Sequence, residues 1–274
     1  MNNGTHTSGP LAGKVVVVTG AARGQGRAEA EAIVAAGGTA LACDLQWDDA
    51  ERSLLPEGVE PVELDVTDEA QWSALTDSLR SRGLAVHGLV NNAGASWRAR
   101  LGDVEVEDWN RIMAVNVTGA MLGIQTLMPL MTEGASIVNV GSLASVTAHP
   151  AVAYTASKWA IRGLSRVASM QLGERGIRSN LINPGFIETP MTGAAPETFR
   201  SANVRNTPAG RVGTVADVAP LVVFLLSDAS SYITGAEIPI DGGQAAHGGA
   251  KAIFDLDRAA GTTGTLSPAA VQPA

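Results

Sequence analysis

The sequence predicts an α/β chain with one doubly wound, seven-stranded parallel sheet and helices on both faces. Three observations lead there. Short β-branched runs alternate with longer helix-like segments from Lys14 onward, the pattern of repeated βαβ units. Several runs are apolar without alternation, as strands covered on both faces must be. Right-handed crossovers between successive parallel strands then distribute the helices over both sides.

VVVVTG (15–20), ALACD (40–44), PVELD (61–65), GLVNN (88–92), SIVNVGS (136–142), RSNLINP (178–184) and AEIPID (236–241) read as the seven strands. Segments 24–36, 68–82, 106–131, 151–173 and 215–226 have helical length and composition. No composition shift or fixed-period repeat divides the chain. Residues 13–244 are therefore read as one domain, between a polar N-terminal extension at 1–12 and a C-terminal extension at 245–274. The stretch 186–213, rich in Pro, Thr, Asn and Gly, reads as a mobile loop over a site, and the tail after Gly243 as a weakly ordered extension.

The 274 residues are 45% hydrophobic, enough to fill a core and to exclude a wholly disordered chain. A net charge of -8 without any Lys/Arg-rich run argues against a nucleic-acid partner. Cys43 is the single cysteine, so no internal disulfide can form. MNNGTHTSGP lacks the basic start and apolar centre of a secretory leader, and no uninterrupted apolar stretch approaches the roughly 18 residues of a membrane span. A cytoplasmic protein without a membrane partner is expected. His6, His87, His149 and His247 show no metal-ligand spacing, so no metal is expected. His149 either lines a substrate pocket or sits in a surface loop. The absence of Gly-x-Ser-x-Gly weighs against a serine hydrolase.

TGAARGQG (19–26) joins the first strand to the first helix, the Rossmann arrangement. Gly20, Gly24 and Gly26 sit where the backbone must turn tightly and approach phosphate closely, with Arg23 and Gln25 between them. The helix N-terminus supplies free N–H groups and the positive end of a dipole for a pyrophosphate. Asp44 closes the second strand, where its carboxylate can accept hydrogen bonds from adenosine ribose hydroxyls and repel a 2′-phosphate. With the apolar Leu45 after it, NAD is favoured over NADP. Arg23 leaves three options open: a 2′-phosphate partner, a solvated loop arginine, or a partner for Asp44. Asp65, beside Val66 at the end of the third strand, can bond the adenine amino group or cap the helix that begins near Asp68.

YTASK (154–158) places Tyr154 and Lys158 four residues apart on one helix face. A free phenol has a pKa near 10, and bringing it to about 7 takes roughly 4 kcal/mol of phenolate stabilisation. Lys158 and an oxidised nicotinamide have the right sign to supply it. Ser142 lies past the fifth strand, at the sheet's carboxyl edge, and can donate to a substrate oxygen. Asn116, amid Met113, Val115 and Val117, can bridge water to Lys158 or satisfy the backbone of a kinked helix. Trp159 is expected to pack into a helix contact, and the acidic run 103–108 to be a solvated helix start.

TGAARGQG, NNAG (91–94), Asn116, Ser142, YTASK and NPG (183–185) resemble, in order and spacing, the short-chain dehydrogenase/reductases, from Lys14 to Gly243. The resemblance implies a tetrad of Asn116, Ser142, Tyr154 and Lys158. It also implies that Asn92, Ala93 and Gly94 border the adenosine ribose, and that Pro184, Gly185, Ile187 and Thr189 contact the nicotinamide end. ARGQG, NTPAGRVG (206–213), LLSDASSYITGAE (225–237) and DGG (241–243) are most similar to bacterial 3α,20β-hydroxysteroid dehydrogenases and related cyclic-ketone reductases. An NAD-dependent enzyme interconverting a secondary alcohol and a ketone is implied, as is a homotetramer built through the helices at 106–131 and 151–173. The rival readings are an NADP-linked carbonyl reductase, a cofactor-sensing regulatory protein, and a lyase or epimerase on the same scaffold.

Overall fold

In the computed structural model, which describes residues 8–193 and 195–259, seven strands form one sheet in the order β3-β2-β1-β4-β5-β6-β7. The strands are β1 (Val15–Thr19), β2 (Thr39–Asp44), β3 (Val59–Glu63), β4 (Val86–Asn91), β5 (Met131–Val140), β6 (Arg178–Pro184) and β7 (Glu237–Ile240). Every neighbouring pair is parallel. All carboxyl ends therefore share one edge, and the chain reverses its winding between β1 and β4, where such sheets open a crevice.

Alternate side chains explain the two-sided core. Val16 and Val18 of β1, Val90 of β4, and Val138 and Val140 of β5 pack with Ala30 and Ile33 of α1 (Gly24–Ala35) and Val218, Val222, Leu225 and Leu226 of α9 (Val215–Leu226). Val17, Leu89 and Ile137 point the other way. They meet Trp72, Leu75 and Leu79 of α3 (Glu69–Ser81), Leu122 and Leu127 of α5 (Gly119–Leu127), and Ala168 and Leu172 of α6 (Val152–Leu172). A period of two along a strand sends neighbours to opposite faces, so uninterrupted valine runs are what a covered strand needs.

Several boundaries differ from the sequence reading. β3 starts and ends two residues earlier, because its pairing with β2 runs from Ala40↔Val59 to Asp44↔Glu63. Pro61 fits there because β3 is an edge strand. The helix read over 106–131 is broken. It comprises α4 (Val106–Met113), a π-helical turn at Ala114–Thr118, α5, and a 3₁₀ turn at Met128–Leu130 containing Pro129, with Met131 already in β5. Val106–Leu130 is long and apolar enough, by length and composition, to cross a membrane. In this fold it packs on α3, α6 and the sheet instead.

The stretch read as a loop, 186–213, carries two helices, α7 (Pro190–Gly193) and α8 (Glu197–Asn206). Two more helices were not expected, α2 (Asp49–Ser53) and, beyond Gly243, α10 (Ala250–Ala259). Leu11 is fully buried and its N–H donates to the Ala36 carbonyl at 3.0 Å, so chain ahead of residue 13 packs on the core. The polar start at 1–7, His6 included, and the tail at 260–274 lie outside the described residues.

Candidate active site

The carboxyl edge holds a cleft of about 590 Å³ at the β1/β4 reversal. Gly20 and Gly24 turn the chain with φ of 67° and 60°, a region open to glycine at little cost. Gly26 answers to space: a Cβ there would collide with the Gly20 carbonyl oxygen and with Asn92 Nδ2. That close approach brings the N-terminus of α1 against the turn and leaves its N–H groups facing the cleft.

Asn92 locks the two sides together. Its Nδ2 donates to the Thr19 and Gly20 carbonyls at 2.9 and 3.1 Å, while Thr19 Oγ1 accepts from the Asn92 and Ala93 N–H groups. Asp44 accepts from Ala22 N and Leu45 N, both at 2.8 Å. Each carboxylate oxygen keeps a further lone pair for an incoming hydroxyl. Arg23 faces Glu51 at 3.8 Å rather than Asp44. Asp65 lies two residues beyond β3 and does not cap α3. Asp68 does so, accepting from Ala70 N and Gln71 N, while Asp65 Oδ1 accepts from the Thr67 N–H and hydroxyl.

At the far end of the cleft, Ser142 is held through its N–H, which donates to Ser145 Oγ and Asn183 Oδ1. Its hydroxyl hydrogen-bonds the Tyr154 phenol. Lys158 Nζ donates to the Val140 carbonyl at 2.8 Å and lies 5.7 Å from the Tyr154 ring centre. The Lys158 side chain is nearly sealed from water, and burial pulls its pKa down to about 8. Burial also raises the Tyr154 pKa, with the Ser142 bond offsetting part of the rise. Among the protein's own groups burial has the larger effect on the phenol, and the lowering is expected of Lys158 only together with the charge of an oxidised nicotinamide.

All of Gly20, Arg23, Gly24, Gln25, Gly26, Asp44, Leu45, Asp65, Val66, Asn92, Ala93, Gly94, Tyr154, Lys158, Pro184, Gly185, Ile187 and Thr189 line this one cleft, with Ser142 among them. Asn116 does not. It is buried behind the cleft in the π-turn, where Oδ1 accepts from Ala95 N at 2.7 Å and Nδ2 donates to Ala95 O and Ser157 Oγ. It thus satisfies the backbone of a neighbouring segment, not that of its own kinked helix. Trp159, expected in a helix contact, is 46% exposed with Arg162 over its ring. His149 stands edge-on to Tyr154, ring centres 6.1 Å apart.

Sequence reasoning missed Glu29. It is fully buried in α1, Gln25 Nε2 donates to its Oε1 at 3.0 Å, and its Oε2 has no partner. Burial pushes its pKa up to about 8, so the carboxyl is neutral near pH 7. A Glu at the i+4 position from a cleft-lining Gln was the available signal. The lining also takes in Met191 and Thr192 of α7, which no motif marked.

The residues fit a nicotinamide dinucleotide: a glycine turn that a Cβ would fill, a helix N-terminus, and a carboxylate with acceptors to spare one strand away. Residues 20–245 match the family model described as enoyl-(acyl carrier protein) reductase. The chain is 40% identical over 244 residues to a 3-alpha-(or 20-beta)-hydroxysteroid dehydrogenase of Mycobacterium bovis, covering 87% of this chain and 92% of the relative. It is 35% identical over 257 residues to a trans-4-hydroxycyclohexanecarboxylate dehydrogenase of Sinomonas cyclohexanicum, covering 88% and 96%. Among solved structures, a gluconate 5-dehydrogenase from Burkholderia cenocepacia in complex with NADP and tartrate superposes with a TM-score of 0.81 at 30% identity, covering 86% of this chain and 96% of that one. With this fold, this cleft and these relatives, the chain belongs to the short-chain dehydrogenase/reductase family of oxidoreductases, which act on alcohol and ketone groups.

Proposed function

We propose that the protein is an NAD(H)-dependent dehydrogenase that interconverts a secondary alcohol and a ketone on a steroid, terpenoid or alicyclic ring. The observation that carries this reading is the shared cleft: Ser142, Tyr154 and Lys158 stand at one end and the glycine turn with Asp44 at the other. The choice of NAD rests on Asp44, whose charge disfavours a 2′-phosphate, and on Arg23 being engaged by Glu51.

In the direction of oxidation, the bound dinucleotide supplies the hydride acceptor and a positive charge. Ser142 and Tyr154 hold the substrate hydroxyl, and Tyr154 Oη takes its proton as the carbinol C–H electron pair leaves. The ketone forms as that carbon is oxidised by two electrons; reduction runs the same transfers backwards. Because desolvation raises the phenol's pKa, Lys158 and the nicotinamide charge must together overcome it. Asn116 positions the 94–95 backbone beside Lys158, since a Cβ on Gly94 would lie 3.5 Å from Asn116 Oδ1 and 3.6 Å from Lys158 Nζ. A water chain from this corner to solvent would carry that proton away in oxidation and return it in reduction.

The reading places the enzyme in the cytoplasm as a homotetramer. An exposed apolar stripe on α6, Trp159, Val167 and Met170, supports a second copy as the occupant of that face. The deciding experiment is a panel of steroids, cyclic ketones and sugar alcohols assayed with NAD and NADP, run beside Tyr154→Phe. Turnover with NAD that falls by orders of magnitude in the variant, while NADH binding persists, is expected. More than a tenth of activity in Tyr154→Phe would remove the tyrosine from its role.

A further inference from the structure

Beside Tyr154, outside the residues that line the cleft itself, lies a cluster of rings that the catalytic residues do not use. His149 stands edge-on to Tyr154, ring centres 6.1 Å apart. The Arg98 guanidinium is near enough to His149 to lower its pKa, a smaller effect than burial. Arg98 lies over the Phe199 ring at 5.9 Å, and Phe199 packs edge-on against Phe186 at 5.7 Å. Phe186 lines a neighbouring cavity that meets the cleft at Ile187. The circuit closes through the backbone, where Val152 N donates to Ala99 O at 3.2 Å, two residues before Tyr154.

Arg98 is the cation of this cluster, and it faces a ring rather than a carboxylate. Every ion pair found among the described residues involves other groups. The exposed Arg98 guanidinium lies on an aromatic face and keeps its five donors for something else. Planar donor geometry matches a carboxylate, and the phenyl and imidazole rings beside it match an apolar ring.

We propose that Arg98 forms an anion subsite, so that the substrate is an alicyclic alcohol or ketone carrying a carboxylate, its ring held by His149, Phe186 and Phe199. This rests on the dehydrogenase reading above and narrows its substrate class. The carboxylate stays unchanged through the reaction; Arg98 contributes binding and orientation.

The test compares trans-4-hydroxycyclohexanecarboxylate with its methyl ester, which keeps the ring and the hydroxyl but has no charge. Wild-type kcat/KM should favour the acid by roughly tenfold or more, the scale of one charged hydrogen bond. Arg98→Gln should cost the acid at least tenfold more than the ester, mainly in KM, and Arg98→Lys should restore part of the difference. Cyclohexanecarboxylate, which has no hydroxyl to oxidise, should inhibit ester turnover competitively in the wild type and lose that inhibition in Arg98→Gln. Equal use of acid and ester, or equal losses in Arg98→Gln, would overturn the subsite and leave the dehydrogenase reading standing. Turnover of neutral cyclic alcohols alone would do the same. Failure of every alcohol and ketone with both dinucleotides would overturn the two together.

Discussion

Lys158 reaches the Val140 carbonyl at 2.8 Å while its ammonium lies 5.7 Å from the centre of the Tyr154 ring. The last carbonyl of β5 thus anchors the cation that faces the phenol. A strand end and a helix face meet at one charged group, and its protonation is set by the dryness of the junction.

Removing that charge should separate stability from activity. In the fold Lys158 gives up its proton near pH 8, against 10.5 for the ordinary side chain, so the unfolded chain binds the extra proton between those values. Native stability carries the full cost of the buried ammonium below about pH 8 and recovers as pH rises towards 10.5. Lys158→Met should therefore gain about 1–3 kcal/mol at pH 7, after allowance for the Val140 carbonyl left without its donor, while losing turnover by orders of magnitude. Urea unfolding at pH 7 and 9.5 checks this; a pH-independent difference between variant and wild type would contradict it.

Glu29 has the opposite sign. Its folded pKa of about 8 exceeds the ordinary 4.5, so the stability gained by keeping the proton is complete below 4.5 and is lost as pH rises to 8. Glu29→Gln keeps an acceptor for Gln25 Nε2 and removes the titration. The variant should match the wild type near pH 4.5 and exceed it by roughly 2–5 kcal/mol at pH 8.5. Thermal unfolding across that range decides it, and parallel curves would show that the carboxyl is already ionised in the native state.

Asp44 has two tasks that one substitution can separate. Its carboxylate accepts from Ala22 N and Leu45 N, and its charge faces the ribose end of the cleft. Asp44→Asn keeps an acceptor and removes the charge, so the ratio of kcat/KM for NAD over NADP should fall by about tenfold or more. An unchanged ratio would assign discrimination to other groups, Arg23 first among them.

Much of this was legible in the sequence because it is local. The glycine turn, Asp44 at a strand end, Ser142 past β5 and Tyr154 with Lys158 at i and i+4 need only the positions of strands and one helix face. The unread parts depend on distant chain. Helical periodicity over 106–131 cannot reveal that the Asn116 side chain, in a π-turn, bonds the backbone of Ala95 in another segment. Asp65 and Asp68 are both carboxylates near the start of α3, and the position of its first turn decides which one caps it. The rise in the Tyr154 pKa escaped as well, because a lysine of favourable sign is visible in a sequence and the water excluded around the phenol is not.

Gly26 gives the sharpest test of the cleft's construction. A Cβ at this position would strike the Gly20 carbonyl oxygen and Asn92 Nδ2, and neither can yield independently. Gly20 is committed to a left-handed turn, and Asn92 Nδ2 is already bonded to the Thr19 and Gly20 carbonyls. Gly26→Ala must therefore push α1 away from the turn or break the Asn92 bridge, at about 1–3 kcal/mol for overpacking. Either response moves the α1 N–H groups from the pyrophosphate position, so NADH affinity should drop by more than tenfold even where the variant remains folded. Fluorescence titration with NADH, beside circular dichroism to establish folding, separates the two losses. Native affinity in a folded Gly26→Ala would mean that the dinucleotide does not depend on this turn.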